Sequence, residues 1–175
     1  MRLFVAICFP EDVKDQLAGI VKDLSDQAAG NFTRRENFHL TLAFLGETPR
    51  LRAIQAAMKQ VEGSGAFSME LANLGRFRRT GGDIYWMGIS PCPPLAALQK
   101  RLAKALQGAG FSLEERAFSP HLTLGREVRP RADFDRDTFS GAMPRLKVPV
   151  EKICLMEARR EAGVLVYREV SSIKL

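Results

Sequence analysis

Two tetrapeptides, His39-Leu40-Thr41-Leu42 and His121-Leu122-Thr123-Leu124, stand 82 residues apart and contain the only histidines of the chain. From the leucine and threonine content, a second histidine would meet the same three followers by chance roughly once in two thousand trials. In a strand, residues two apart share a face, so each motif sets His and Thr on one side and both leucines on the other. The leucines belong to a core. His and Thr then lie about 6.5 to 7 Å apart along the strand and can converge on an anion between them. Imidazole, with an ordinary pKa of about 6.5, both gives and takes a proton near neutral pH. Two of them suit displacement at phosphorus, as in the opening of a cyclic phosphodiester: one removes a proton from the attacking water while the other protonates the departing oxygen. Thr41 and Thr123 would donate hydroxyl hydrogen bonds to the non-bridging oxygens. Which histidine gives and which takes is open at this level.

Zinc needs three or four protein ligands, and no Asp, Glu or Cys stands at ligand spacing from either histidine, so no metal is expected. Arg126, five residues after His121 on a strand whose start Pro120 constrains, is placed to reach the same phosphate with its forked donors. Further arginines cluster in predicted loops, at Arg34 and Arg35, Arg76, Arg78 and Arg79, and Arg129 and Arg131, where they could follow an RNA backbone. Phe44, Tyr85 and Trp86 are candidates to stack a base, but their places in apolar strands favour core packing.

The elements that must hold these groups are legible as alternating strands and helices. Arg2 to Phe9 reads as a buried strand ended by Pro10, followed by a helix from Glu11 to about Ala29, with Gly30 just past its end. Strands are predicted at Phe38 to Leu45, Phe67 to Phe77, Ile84 to Ile89, His121 to Val128, Val150 to Arg159 and Val164 to Leu175. Helices are predicted at Leu51 to Val61 and from Pro93, with Leu95, Leu98, Leu102 and Leu106 as the apolar stripe of the latter. Arg78 to Gly82 reads as a turn and Glu161-Ala162-Gly163 as a hairpin. Leu3 and Ile84 open strands 81 residues apart, close to the offset between the histidines, and the strand at Phe67 matches one near Pro149. The chain therefore reads as two copies of a strand, helix, strand, strand unit about a pseudo-twofold axis, which would face the two His/Thr pairs across one cleft.

At 175 residues the chain suits one domain, 1–175, and the composition, 46% hydrophobic and 26% charged, is that of a fully folding globular protein. No apolar run approaches bilayer length and no cleavage site follows the first strand, so a cytoplasmic location without membrane association is expected. Cys8, Cys92 and Cys154 are odd in number and widely spaced, which argues for reduced thiols in strands or core. A formal charge of +6 favours an anionic partner.

The paired H-x-T-x motifs, the second within Phe118-Ser-Pro-His-Leu-Thr-Leu-Gly-Arg126, resemble those of the two-histidine (2H) phosphoesterases. Together with Arg2-Leu-Phe-Val-Ala-Ile and Glu36-Asn-Phe-His-Leu-Thr-Leu-Ala-Phe-Leu-Gly46, they look most like the RNA 2′,3′-cyclic phosphodiesterases, also called 2′-5′ RNA ligases. The resemblance covers nearly the whole chain. It implies an α+β, bilobal fold of two pseudo-twofold-related antiparallel sheets with helices outside and a central cleft. It also implies hydrolysis of an RNA terminal 2′,3′-cyclic phosphate to a 2′-phosphomonoester with no metal or cofactor, His39 as proton donor and His121 as acceptor. Gly125 stands where relatives often carry another small residue. RNA with such an end, or a related nucleotide, is then the expected partner, with no obligatory protein partner and a monomer as default. Ligation by reversal at the same site and a non-catalytic RNA-end module are the competing readings. Intact His and Thr in both motifs argue against the latter, since phosphate binding alone needs no proton donor and acceptor together.

Overall fold

The structure, a computed structural model, describes residues 1–175. β1 (Arg2–Cys8) is buried along Leu3 to Ile7, on both faces, as a central strand must be. α1 (Glu11–Ser25) follows Pro10, buries Val13, Leu17, Ile20, Val21 and Leu24, and carries Glu11 and Asp12 where the helix dipole favours negative charge. Then come β2 (Ala28–Phe32), a 3₁₀ turn (Arg35–Asn37), β3 (His39–Glu47) and α2 (Leu51–Lys59). β4 (Phe67–Phe77), β5 (Asp83–Ile89), α3 (Pro93–Gly108), β6 (His121–Pro130) and α4 (Arg136–Ala142) lead to β7 (Leu146–Val150), β8 (Lys152–Glu161) and β9 (Val164–Lys174).

The strands form two antiparallel sheets, sheet I in the order β3-β1-β8-β9 and sheet II in the order β2-β6-β5-β4-β7. The pseudo-twofold repeat is present, with an exchange. In each sheet a central strand, β1 or β5, is flanked on one side by the histidine strand of its own unit, β3 or β6. Its other neighbour is a late strand of the opposite unit, β8 or β4, so the counterpart of the Phe67 strand is β8 and not the strand at Pro149, which is β7 and pairs with β4 itself. One core of 37 buried residues draws on both sheets and on α1, α2 and α3, so the sheets share one packed interior. Sheet I has a second, smaller apolar cluster on its other face, formed by Phe4, Ala6, Cys154 and Met156 with Tyr167 against it.

Three predicted boundaries are corrected. The first helix stops at Ser25, not near Ala29, because Ala28–Phe32 is taken by pairing with the second half of β6. Ala-Ala-Gly-Asn-Phe has little strand propensity of its own, and the pairing imposes it. Gly30 is no helix stop: a Cβ there would meet Val128 Cα at 3.0 Å, so the residue serves strand approach. The strand predicted from Val150 to Arg159 is two strands in different sheets. Val150 ends β7, opposite Phe67 of β4, and exposed Glu151 precedes β8. Pro149 is tolerated because β7 lies at the sheet edge. α4 was not foreseen; its N-cap is Asp135, whose carboxylate accepts from the N–H groups of Asp137 and Thr138 at 2.9 Å each. No helix is long and apolar enough to cross a membrane.

Candidate active site

Along β3 and β6, Leu40, Leu42, Leu122 and Leu124 are buried while His39, Thr41, His121 and Thr123 are partly buried, the alternation expected of a half-covered sheet face. Each histidine is anchored the same way. Nδ1 of His39 lies 2.7 Å from the carbonyl oxygen of Asn37, and Nδ1 of His121 lies 2.8 Å from that of Ser119. A carbonyl only accepts, so Nδ1 carries the proton in both rings and Nε2 is the nitrogen left to exchange one. His39 Nε2 is 3.1 Å from Thr41 Oγ1, which donates to it when the ring is neutral. Asn37, missed at the level of sequence, is a positioning residue. Its side chain is buried and donates to the Leu165 carbonyl at 3.0 Å, tying the 3₁₀ turn to β9.

Aromatic walls hold both rings. His39 packs against Phe4 and, edge-on, against Tyr167, each 4.9 Å between centroids. His121 meets Phe77 edge-on at 5.1 Å and Trp86 at 6.0 Å. Trp86 is thus partly buried beside His121 rather than in the core, and Phe44 is 58% exposed; of the three aromatic residues assigned to the core, only Tyr85 belongs there. Trp86 faces Gly75 across the β4–β5 ladder, and a Cβ on Gly75 would lie 2.2 Å from the indole. The absence of a side chain at Gly75 lets the indole lie across β4 and reach His121. Its Nε1 is buried without a partner, a desolvation cost of about 1–3 kcal/mol carried at this wall.

Strict alternation along β6 would turn Arg126 to the leucine side. Register shifts prevent this. Thr123 is opposite Trp86 but Gly125 is opposite Tyr85, so one extra residue lies in β6 and Gly125 takes the core face, leaving Arg126 exposed on the face of Thr123. A Cβ at Gly125 would meet Phe32 and Val128 side chains at 2.9 Å, which explains the need for a small residue at this bulge. The charge of Arg126 acts on the Tyr167 phenol, together with that of Arg2. Tyr167 packs on His39, so the charge of an arginine from the second motif's strand is felt at the wall of the first motif's histidine, and β3 and β6 contact each other where the two sheets meet.

Burial pulls the His39 pKa below 6.5, and the bond to the Asn37 carbonyl opposes this only in part. Burial pushes the Tyr167 phenol up, against the pull of Arg126 and Arg2, so it stays a neutral wall. All three cysteines are free thiols. No three His, Cys, Asp or Glu side chains gather where they could hold a metal ion.

Residues 9–162 match the 2′-5′ RNA ligase superfamily. The chain belongs to that superfamily. An RNA 2′,3′-cyclic phosphodiesterase of Thermotoga maritima is 32% identical over an alignment covering 95% of this chain and 100% of that one. A protein of the same description from Escherichia coli is 30% identical, with 73% and 72% covered. Among solved structures, E. coli LigT complexed with 3′-AMP superposes with a TM-score of 0.82 at 25% identity, covering 99% of this chain and 97% of that one. The fold is α+β with two antiparallel sheets, as the resemblance to the two-histidine phosphoesterases implies.

Proposed function

We propose that this chain hydrolyses the 2′,3′-cyclic phosphate at the end of an RNA to a 2′-phosphomonoester, with His39 and His121 as its only proton-transfer groups and no metal. The observation that carries the reading is the duplicated anchoring of Nδ1 on a backbone carbonyl, which directs two equivalent Nε2 atoms to the proton-transfer task. The activity named for the Thermotoga and E. coli relatives supports it. In the proposed step His121 Nε2 takes a proton from water as the water oxygen bonds to phosphorus. The bond from phosphorus to the ribose 3′ oxygen breaks, and that oxygen receives the proton of His39 Nε2. Thr41, Thr123 and Arg126 hold the non-bridging oxygens as charge shifts onto them. A lowered pKa makes the His39 imidazolium a stronger acid, and the anionic phosphate helps it keep the proton until the bond breaks.

The deciding experiment is turnover of a cyclic-phosphate-terminated RNA with identification of the product. A 2′-phosphate end, formed at an unchanged rate in excess chelator, is expected. A 3′-phosphate product would overturn the assigned leaving oxygen, and loss of activity in chelator would overturn metal independence. Because a catalyst speeds both directions, the same site would join RNA halves, and accumulation of 2′-5′ linked product would make ligation the better description.

A further inference from the structure

The arginines expected in loops, of which Arg76 in fact lies in β4 and Arg129 in β6, divide together with Arg126 into two groups once their partners are known. Arg34 pairs with Glu36, Arg35 with Glu11 and Asp15, Arg76 with Asp83 and Arg131 with Asp133. Arg78, Arg79, Arg126 and Arg129 are exposed and form no ion pair with any carboxylate. Three of these four gather in one place. Arg78 and Arg79 follow Phe77, the residue whose ring walls His121, and the Arg79 guanidinium lies 6.0 Å from the centroid of that ring. Its Nη1 donates to the Arg78 carbonyl at 2.9 Å, and its backbone N–H to Asp83 at 3.1 Å, so the turn is braced.

The β4–β5 turn is also pressed against β6. Gly82 (φ +129°) comes so close that a Cβ would lie 2.5 Å from the Glu127 backbone, and a Cβ on Gly81 would lie 3.9 Å from Arg129 Nη2. Arg129 is thus at the turn with Arg78 and Arg79. Along β6 it stands eight residues beyond His121, about 26 Å in an extended strand and less with the bulges, with Arg126 between. None of these three guanidiniums belongs to the His/Thr motifs, and none has a carboxylate partner. Set on an exposed turn and the strand beside it, they offer several cationic forks to a chain of phosphates. At the β8–β9 hairpin of sheet I, Arg159 pairs with Glu157 and Glu161 and Arg168 with Glu161 at 2.7 Å, which leaves Arg160 alone there without a carboxylate.

We propose that Arg78, Arg79 and Arg129 form a second subsite that holds phosphates of the nucleotides 5′ to the reacting terminus, so that this chain selects a polynucleotide over a mononucleoside cyclic phosphate. The inference rests on the phosphodiesterase reading for its chemistry and adds the strand's course: the RNA leaves the cleft over sheet II. Guanidinium contacts to phosphates give affinity without base preference and raise it most at low salt.

The test compares kcat/KM for a ten-nucleotide RNA ending in a 2′,3′-cyclic phosphate with that for a mononucleoside 2′,3′-cyclic phosphate, in the full wild-type chain and in the R78Q/R79Q/R129Q variant. The wild type should favour the oligonucleotide on the order of 10-fold at low salt. The variant should lose that preference while turning over the mononucleotide at the wild-type rate, and its log kcat/KM against log salt should be shallower by roughly 2, at about 0.7 per phosphate contact. Equal preference in the wild type, an unchanged preference in the variant, or equal losses on both substrates would overturn the subsite. Fluorescence anisotropy with the same RNA carrying a 2′-phosphate end separates the two failures. If the wild type cleaves neither substrate, the phosphodiesterase reading falls, whereas tenfold weaker binding by the variant would still uphold the arginine track. The single variants R79Q and R129Q, both at exposed positions, serve should the triple variant melt early.

Discussion

The two halves of the site start from the same four residues and end in different surroundings. On sheet I, His39 sits between Phe4 and Tyr167, shares its Nε2 with Thr41, and is desolvated enough to lower its pKa. On sheet II, His121 is walled by Phe77 and Trp86, and its Nε2 has no protein partner. The difference comes from the neighbours rather than the motif. β9 brings a tyrosine over the first ring, while β4 brings a phenylalanine and a bare arginine turn beside the second. A duplicated motif thus supplies two anchored imidazoles, and the exchanged strands make their surroundings unequal, as the proposed donor and acceptor roles require.

The largest expected effect comes from removing either ring. His39→Ala and His121→Ala should each lower kcat by about 10² to 10⁴ with circular dichroism unchanged. The inequality shows in a second substrate: with a nitrophenolate leaving group, which departs without a proton, His39→Ala should recover most of its rate and His121→Ala should not. Recovery in both variants or in neither would break the donor and acceptor assignment.

Next is the sheet II wall. Gly75→Val forces the indole of Trp86 off β4, since even a Cβ would lie 2.2 Å from it. A kcat/KM loss of about tenfold is expected, with overpacking that costs about 1–3 kcal/mol in urea unfolding. Gly75→Val combined with Trp86→Leu should regain the stability but not the rate; wild-type activity in the pair would show that the indole is mere filling.

A smaller effect separates the two rings by pH. Burial favours the neutral form of His39, so the proton a donor needs is scarce at pH 7 and gathers as pH falls toward the lowered value. kcat/KM for a cyclic phosphate, whose single charge does not titrate in this range, should rise a few-fold as pH drops from 7 through 6.5, and the His39 C2–H resonance should titrate below 6.5. The linkage to folding has the same origin. Stabilisation from the neutral ring is complete above pH 6.5 and is lost as pH falls through the folded-state value, so His39→Gln should flatten stability against pH in that window. Smallest of all, Tyr167→Phe should change kcat less than about threefold, because a phenol held neutral acts on His39 through its ring alone.

Much of this architecture is local information. The H-L-T-L pairs suggest the proposed chemistry, and alternation names which side of each strand faces the core, because burial of Leu40, Leu42, Leu122 and Leu124 admits only one register. The constant offset of about 81 residues announces two related units. Other parts arise only between distant segments. β2 is a strand because β6 offers it an edge, and Val150 parts from Lys152 because two sheets compete for one run of chain. Arg126 comes to the face of Thr123 through an extra residue in β6, where a strict period of two would send it to the core. Which arginines stay without a carboxylate partner follows from where the acidic side chains fall. Periodicity and residue type act over a few neighbours and can be read from the chain; pairing partners, bulges and ion pairs depend on which remote segments arrive alongside, and the packed fold alone decides that.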